Sequence, residues 1–281
     1  MRIVILTSET PGNVWLTNQL LRRHDVAGIV IERRPAANGS VEKRERRRRL
    51  IKRYGLLRTV NKLLYNRYRA SFFAERDARV IREAFFPDGA AMQYVKAVPT
   101  VVVSGINDAS CIQFIQDLKP DLLAVCGTTV LKPDVFNLAP RGTINIHTGI
   151  TPEYRSADPI FWALYCGEPE KVGVTIHYID RGIDTGPIIH QESVPVFRGD
   201  SLASLYVRCV RRGAQLYSQA LTEIEQGVVQ TVTRPGVISR AFLSVDLGLA
   251  QYFLFRWRFW RLGFRLPTRV HAAIPDAEGP R

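Results

Sequence analysis

Short apolar runs rich in β-branched residues alternate with helical stretches along much of this chain of 281 residues. Residues 2–6 and 26–31 are two such runs, and residues 14–23 between them repeat leucine at helical spacing. A strand, a helix and a second strand in this order form a unit that builds parallel sheets. The sequence therefore predicts an α/β fold with a doubly wound, mostly parallel, Rossmann-like sheet.

The later part of the chain continues this alternation. Further strands are predicted at residues 100–103, 121–125, 143–146, 172–179 and 188–195, and further helices at residues 109–118, 158–165 and 201–226. The last helix is long and amphipathic, so we expect it to lie against the sheet. At the first helix, Asn13 follows two turn residues and is the expected N-cap. Residues 1–235 are thus predicted to form one domain.

Residues 33–98 interrupt the alternation. Apolar residues recur there at steps of three and four, which predicts amphipathic helix, at Leu50, Tyr54, Leu57, Val60, Leu64 and Tyr68. Gly55 is expected to divide the stretch in two. We interpret this segment as a helical insertion after the second strand. Its basic outer face either binds a partner or is simply solvated.

Positive charge is concentrated in two parts of the chain. The formal net charge is +13, and residues 41–53 hold eight Lys or Arg against two Glu. Residues 251–270 hold five Arg and no acidic residue. A positive field attracts anionic small molecules, nucleic acid and acidic lipid alike, so the charge alone does not choose a partner.

Residues 236–281 are an expected helical extension in which aromatic side chains stand among arginines. On a helical wheel over residues 251–266, one side holds Arg258, Arg261 and Arg265, and the other holds Trp257, Trp260 and Phe264. Such a helix can dock on this chain or another protein, or it can lie on an anionic membrane surface. We favour docking on protein, and peripheral membrane contact stays open.

Several features indicate a cytoplasmic setting. The four cysteines show neither CxxC spacing nor a Cys/His pairing, so we expect neither structural zinc nor a disulfide framework. The first residues form a short apolar run with one basic residue, which fits a buried strand better than a signal peptide. No apolar stretch approaches the roughly 20 residues that a membrane-spanning helix needs.

Three polar residues are the candidates for chemistry. Asn145 and His147 alternate with two isoleucines at the end of a strand, so their side chains share one face. Asp184 lies in a loop between two later strands, and open α/β sheets place their sites at the carboxyl ends of strands. His177 and His190 lie on other strands without metal-like spacing to His147, and we interpret both as structural.

Two runs between residues 120 and 195 carry a family resemblance, NIHTGITPEYRSADPIFWAL and GVTIHYIDRGIDTGPIIHQESVPV. They resemble the folate-dependent formyltransferase family, which includes glycinamide ribonucleotide, methionyl-tRNA and nucleotide-sugar amine formyltransferases. That family has an Asn-x-His motif, a Tyr-Arg-Gly loop, a helix, a Gly-x-Thr strand and an Asp-Thr/Ala-Gly loop, in this order. The resemblance implies an enzyme that moves a formyl group from 10-formyltetrahydrofolate to a primary amine.

The resemblance implies catalytic roles for Asn145, His147 and Asp184. Formyl transfer to an amine develops an oxyanion and a protonated amine, and an Asn amide can donate to that oxygen. A histidine can donate to the same oxygen or collect the amine proton. A nearby carboxylate raises the histidine pKa or accepts protons through a water. This chemistry requires neither a metal nor a covalent nucleophile, and the sequence offers no candidate for either.

The resemblance also implies contacts with the folate. Residues 127–133 match a loop that helps to hold it, and Val130 and Leu131 are the expected contacts. Residues of a second loop match the segment that surrounds the pterin ring, namely Ile179, Asp180, Gly182 and Ile183. Apolar walls with a few placed polar groups are typical of such a pocket.

The acceptor pocket is where this sequence departs from the family pattern. Thr148, Gly149 and Thr151 replace the usual Pro, Ser and Leu, and Ser156 replaces the usual Gly. These positions border the acceptor in the family, so they leave the identity of the amine open.

Two further residues are expected to contact the acceptor. Asn13 lies at a helix start, where anions bind, and the family's ribonucleotide enzymes hold a phosphate there. Arg155 is a candidate for the acceptor's phosphate or carboxylate, and it fits a structural arginine paired within its own loop equally well.

The order of expected acceptors is an amino-sugar nucleotide or a similar small amine first, glycinamide ribonucleotide second and methionyl-tRNA third. The tRNA enzymes carry a C-terminal β-barrel, and no run of alternating strands follows residue 231, so tRNA is not expected as a partner. An alternative of another class is a non-catalytic binding module with the same fold. The oligomeric state is not readable from the sequence.

Overall fold

A mostly parallel sheet is the centre of the computed structural model, which describes residues 1–35, 40–263 and 266–268. The strands are β1 (Ile3–Thr7), β2 (Val26–Glu32), β3 (Thr100–Val103), β4 (Leu122–Cys126), β5 (Thr143–His147), β6 (Tyr154–Ser156), β7 (Gly173–Tyr178), β8 (Ile188–Ser193) and β9 (Arg240–Phe242). Seven form one sheet in the order β3-β2-β1-β4-β5-β7-β8, and β6 pairs with β9. β1 to β5 run parallel, whereas β7 and β8 are antiparallel to their neighbours. The predicted fold class is confirmed.

Helices cover both faces of the sheet and extend beyond it. In chain order they are α1 (Pro11–Arg23), α2 (Ser40–Tyr54), α3 (Leu56–Phe72), α4 (Ala74–Phe85), α5 (Ala109–Leu118), α6 (Pro133–Phe136), α7 (Pro159–Tyr165), α8 (Leu202–Gln226) and α9 (Leu249–Gly263). Because successive strand residues point to opposite faces, Ile3 and Ile5 pack with α1, α4 and α8. Val4 and Leu6 pack with α5 and α6 on the other face.

The first helix begins earlier than the sequence predicted. Pro11 occupies its first turn, and the side chain of Thr10, not of Asn13, is the N-cap that accepts a hydrogen bond from the Asn13 amide. A proline fits the first helical position because its missing N–H has no partner there anyway. Asn13 therefore lies inside the first turn, and its role as N-cap was predicted wrongly.

The predicted helical insertion consists of α2, α3 and α4. Gly55, at a φ of 84°, separates α2 from α3 as predicted, because this backbone conformation favours glycine. α4 packs on α1 and α8, and Phe85 places its ring 5.1 Å from that of Trp15. Residues 36–39, at the start of the predicted insertion, lie outside the described residues.

The middle of the apolar stripe predicted in the insertion does not pack against the core, although Tyr68 at its end does. The side chains of Leu57, Val60 and Leu64 are exposed, and Leu57 keeps 86% of its surface. Instead α3 buries Thr59 and Tyr65, one residue to the side of that stripe. Spacing shows that one face of a helix is apolar, but it does not show that anything covers this face.

The C-terminal helix docks on this chain. α9 packs on α3 and α7, and it buries Tyr252 and Phe255. Trp257 and Trp260, which the helical wheel placed on the apolar side, remain exposed. Phe264 and Arg265 lie outside the described residues. No helix within the described ranges has the length and apolar character needed to span a bilayer.

Candidate active site

The polar face of β5 and β7 brings the three predicted catalytic residues together. Asn145 lies opposite His177 in the antiparallel pair, so both side chains share one face with His147. The Asp184 carboxylate lies 3.6 Å from Nδ1 of His147 and 3.6 Å from Nε2 of His177. The other face of these strands packs on α8, where Gly213 approaches Ile146.

The route by which Asp184 reaches the site differs from the expectation. We expected it at the carboxyl end of a parallel strand, but β7 is antiparallel to β5 and ends opposite Ile144, at the start of β5. The loop after β7 therefore folds back over the polar face to reach His147. Asp184 itself has a φ of 52°, a left-handed conformation that aspartate tolerates better than most residues.

His147 is buried and held in one orientation. Its Nε2 lies 3.0 Å from the carbonyl oxygen of Tyr154, which can only accept, so Nε2–H is the donor. Burial lowers the pKa of His147, although the Asp184 carboxylate and the bond to Tyr154 act in the opposite direction. The neutral ring therefore turns an unprotonated Nδ1 toward Asp184.

Asn145 is oriented by His177, a contact that the sequence interpretation missed. Nδ1 of His177 lies 2.8 Å from the carbonyl oxygen of Tyr178, so this nitrogen donates. Nε2 of His177 can then accept from the Asn145 amide at 3.2 Å. The amide has a second N–H, and Asn145 is only half-buried, so this hydrogen can face a substrate oxygen. The histidine that we interpreted as structural belongs to the site.

Gly149 lies where the backbone and His147 come close together. A Cβ at this position would lie 2.5 Å from Pro159, 2.7 Å from Nε2 of His147 and 2.9 Å from the Tyr154 carbonyl. Thr175 fixes the loop by donating to the Gly149 carbonyl at 2.6 Å. The replacement of the usual family residue by glycine thus has a packing reason.

The loop expected to hold the folate is fixed by buried contacts with the rest of the protein. Leu131 is buried in the cluster against which Ile179 packs, while Val130 stays exposed and its carbonyl accepts from Asn107 at 3.0 Å. The buried Glu32 carboxylate accepts from the backbone and hydroxyl of Thr129, at 2.7 and 2.6 Å. Glu32 was not identified from the sequence, because its partners are distant along the chain.

The second expected folate loop is shaped by its own polar groups. Asp180 Oδ1 accepts from the Gly182 amide at 2.9 Å and from the Thr185 hydroxyl at 2.6 Å. The side chain of Ile183 is exposed. The backbone groups of this loop are therefore held in place beside one exposed apolar side chain.

Asn13 and Arg155 both have protein partners. The Asn13 amide donates to the Ser8 hydroxyl at 2.9 Å. Arg155 donates to the Ser239 hydroxyl at 2.6 Å and to the carbonyl of Ile183 at 2.9 Å. These contacts are the ones expected if Arg155 is a structural arginine and not an acceptor-binding one. They connect the loop that carries Asp184 to the C-terminal segment.

A cavity of about 770 Å³ lies beside this site. Its lining includes Thr148, which directly follows His147, and Pro159, which packs next to Gly149. Residues of α3, α4 and α9 also line it. Across the ranges that the structure describes, no group of three or more His, Cys, Asp and Glu side chains could hold a metal ion.

Comparison with known proteins supports the resemblance that the motifs carry. The formyl transferase family model matches residues 89–221, which include Asn145, His147 and Asp184. Residues 89–221 are thus similar to the formyltransferase family, and the resemblance that the motifs predicted is confirmed.

Curated relatives match part of the chain. The methionyl-tRNA formyltransferase of Pelotomaculum thermopropionicum is 33% identical over 51% of this chain and 46% of its own length. That of Methylacidiphilum infernorum is 41% identical over 43% of this chain and 38% of its own length. The chain thus matches less than half of the length of these relatives.

Two solved structures share the fold. Glycinamide ribonucleotide transformylase 1 from Symbiobacterium toebii superposes with a TM-score of 0.53 at 20% identity, over 81% of this chain and 88% of its own. A sugar N-formyltransferase from a Shewanella species gives a TM-score of 0.54 at 16% identity, over 92% and 87%.

Proposed function

We propose that this protein transfers a formyl group from 10-formyltetrahydrofolate to a primary amine, with Asn145, His147 and Asp184 as its catalytic residues. The observation that carries the proposal is the approach of the Asp184 carboxylate to Nδ1 of His147, at 3.6 Å, on the strand that presents Asn145.

The residues expected to hold the donor fit a flat, partly apolar molecule. Val130 and Ile183 expose apolar side chains, and Leu131 and Ile179 support them from one buried cluster. The donor supplies an activated formyl carbon. Ordered backbone groups of residues 179–183 supply the few polar contacts that such a pocket needs.

Side chains of the protein can accept the proton of the attacking amine and stabilise the negative charge on the formyl oxygen. The second N–H of Asn145 donates to the formyl oxygen as negative charge develops on it. The unprotonated Nδ1 of His147 takes the proton that the attacking amine loses, and Asp184 stabilises the resulting imidazolium. Return of that proton to the departing nitrogen completes the transfer and leaves a formamide and tetrahydrofolate.

An amino-sugar nucleotide or a similar small amine is the proposed acceptor, with glycinamide ribonucleotide as an alternative. The support is the altered loop at Thr148 and Gly149 and the cavity beside it. Methionyl-tRNA remains a further candidate, because the curated relatives are methionyl-tRNA formyltransferases. The expectation that tRNA is not a partner therefore has no support from these relatives. A non-catalytic binding module would keep the fold and lack turnover.

The test is to incubate the purified protein with 10-formyltetrahydrofolate and each amine, and to follow tetrahydrofolate release and the formylated product. We expect turnover with one class of amine and its loss in His147→Ala. His190→Gln is the matched control, because His190 pairs with Glu223 at 2.8 Å outside the site. Donor binding without turnover of any amine, or no donor binding, would overturn the proposal.

We also propose that the enzyme contacts an anionic membrane surface. α3 and α9 carry seven Lys or Arg and no acidic residue. Exposed Phe72 and Phe253 both pack on Tyr68, at 4.9 and 5.3 Å, and Arg261 lies 4.9 Å from the ring of exposed Trp257. Aromatic rings among cations are typical of helices that lie on acidic lipid. We call these residues the aromatic–basic face.

Sedimentation with phosphatidylcholine vesicles, with and without phosphatidylserine, tests the membrane contact. We expect binding only to the acidic vesicles, with most of it lost in Phe253→Ser/Trp257→Ser. Val228→Ser is the matched control, since it replaces an exposed apolar residue outside this face. Absence of binding, or self-association through this face instead, would contradict the proposal. The cytoplasmic setting stays a prediction.

A further inference from the structure

The short strand β6 contacts both sides of the pair formed by His147 and Asp184. The carbonyl oxygen of Tyr154 accepts from Nε2 of His147 at 3.0 Å. The next residue, Arg155, donates from its guanidinium to the carbonyl oxygen of Ile183 at 2.9 Å, and Ile183 directly precedes Asp184. Two successive residues of one strand therefore hold the imidazole ring and the loop that carries the carboxylate.

β6 is completed by the C-terminal segment of the chain. It pairs in parallel with β9, so that Arg155 lies opposite Ala241. The carbonyl of Glu153 accepts from the Arg240 amide at 3.1 Å, at one end of this pairing. β9 lies outside residues 89–221, which are the residues that the family model matches. An element from outside the family segment thus supports the strand beside the pair.

A buried tyrosine fixes the two strands to each other. The side chain of Tyr154 is fully buried, and its hydroxyl donates to the Glu168 carboxylate at 2.9 Å. Arg240 of β9 donates to the same hydroxyl at 2.6 Å and to the same carboxylate at 2.9 Å. Phe242 of β9 stacks on Trp162 with ring centroids 4.1 Å apart. Hydrogen bonds to ionised groups are stronger than neutral ones, so β9 holds β6 in one register.

The side chain of Arg155 joins the C-terminal segment to the loop of Asp184. Its Nε donates to the Ser239 hydroxyl at 2.6 Å, while Nη1 donates to the carbonyl of Ile183. A guanidinium is a planar and rigid fork, so two such bonds fix its direction as well as its position. Asp184 has a φ of 52°, and a non-glycine residue keeps such a conformation only where its surroundings hold it.

We propose that Arg155 is a positioning residue that holds the Asp184 carboxylate beside His147, and that Ser239 of the C-terminal segment orients Arg155. The inference rests on the proposed function for the reaction, but the arrangement that it describes can be measured without turnover. It gives the C-terminal segment a part in the chemistry in addition to its packing.

Steady-state kinetics separate positioning from acceptor binding. Arg155→Met should lower kcat roughly ten- to a hundredfold and leave the acceptor KM unchanged, because a displacement of about 1 Å at a reacting group can cost this much. Arg155→Lys keeps one donor for the Ile183 carbonyl and should recover part of the rate. Ser239→Ala should lower kcat by a smaller factor, and Ser239→Thr, which keeps the hydroxyl, should restore it. Arg79→Gln is the control, because this exposed arginine of α4 pairs with Glu75 away from the site.

The pKa of His147, followed by NMR titration of its ring, tests the arrangement without turnover. The titratable side chains that face this ring are Asp184, which raises its pKa, and His177, which lowers it. Release of the Asp184 loop in Arg155→Met should therefore lower the pKa of His147, in the same direction as Asp184→Asn does. Loss of the arginine charge alone would raise this pKa, so the direction of the shift distinguishes the two effects. Ser239→Ala keeps that charge and should also lower the pKa, and it carries the test if Arg155→Met does not fold.

Two results would overturn this assignment. One is a raised acceptor KM with an unchanged kcat in Arg155→Met, which would make Arg155 an acceptor-binding residue. The other is an unchanged or raised pKa of His147 in the folded Arg155 and Ser239 variants. If this pKa falls as expected but the native protein formylates no amine, the proposed reaction fails while the positioning role stands. If formylation proceeds and the variants change neither kcat nor the pKa, the reaction stands and the positioning role fails.

Discussion

The polar face of β5 and β7 and the helical layer formed by α2, α3, α4 and α9 differ in how their side chains are held. On the polar face, His147 is 8% exposed, and its ring is fixed by Tyr154 and Asp184. In the helical layer, Leu57 is 86% exposed and α2 is lined with exposed arginines. One region is specified by contacts inside the protein, and the other exposes apolar and cationic side chains to solvent.

This contrast separates the reaction from its selectivity. A substitution on the polar face should change the rate of the chemical step, whereas a substitution on the surface of the layer should change what is bound. The layer also has a buried side toward α7, which holds α9 in place. Its two sides should therefore respond differently to mutation.

The largest expected effect is on the polar face. His147→Ala removes the group that collects the amine proton, so kcat should fall by about 10²- to 10⁴-fold, while the melting temperature stays close to that of the native protein. Steady-state kinetics with the best acceptor checks this. A decrease in kcat smaller than about tenfold would mean that His147 is not the base. The polar face would then not be the region that determines the rate of the chemical step.

The two sides of α9 provide the next test. Phe255→Ala leaves a void between α7 and α9, and we expect it to lower the free energy of unfolding by about 3–5 kcal/mol. Trp257→Ala, on the exposed side of the same helix, should change it by no more than about 0.5 kcal/mol. Urea titration of both variants compares them directly. Equal effects would show that α9 does not dock as described.

A smaller effect is expected at His177, which orients the Asn145 amide. His177→Ala should lower kcat by roughly ten- to a hundredfold and leave the acceptor KM unchanged, because the amide loses its fixed direction. His177→Gln offers an acceptor atom for the same amide and should recover part of the rate. A change in KM alone, or no rescue, would assign His177 a purely structural role.

The smallest expected effect is a shift in pH dependence. Burial lowers the pKa of His147 below its usual 6.5, so the acid limb of kcat/KM should lie below pH 6.5. Asp184→Asn removes a group that raises this pKa, and the limb should move to still lower pH. Between the lowered pKa and 6.5 the unfolded chain binds more protons, so the free energy of unfolding should fall as pH falls through this window. An acid limb of kcat/KM above pH 6.5 would contradict the conclusion that the His147 ring is neutral.

The sheet could be predicted from sequence because it depends on local patterns, whereas the candidate site residues were named through the family resemblance. Apolar runs at strand spacing located β1, β2, β4 and β5 within one residue of their observed bounds. Asn145 and His147 could be placed on one face by alternation alone. The approach of Asp184 could not be derived in this way, since it depends on the antiparallel direction of β7.

Contacts between distant parts of the chain could not be read from the sequence. His177 joins the site through strand pairing with Asn145, and Glu32 holds Thr129 across 97 positions of the chain. The exposed stripe at Leu57, Val60 and Leu64 is the opposite case, in which the sequence pattern led us to expect packing that the structure does not show. Periodicity predicted an apolar face there, and only the structure shows that the described part of the protein leaves it uncovered.

The most direct test of the central claim is acceptor-dependent release of tetrahydrofolate by the native protein and by the Asn145→Ala, His147→Ala and Asp184→Asn variants. Mass spectrometry of the amine detects the transferred formyl group in the same samples. The account predicts one formylated amine per tetrahydrofolate with the native protein and a large loss of both products in all three variants. Native release without a formylated amine, or undiminished transfer in any of the three variants, would contradict it.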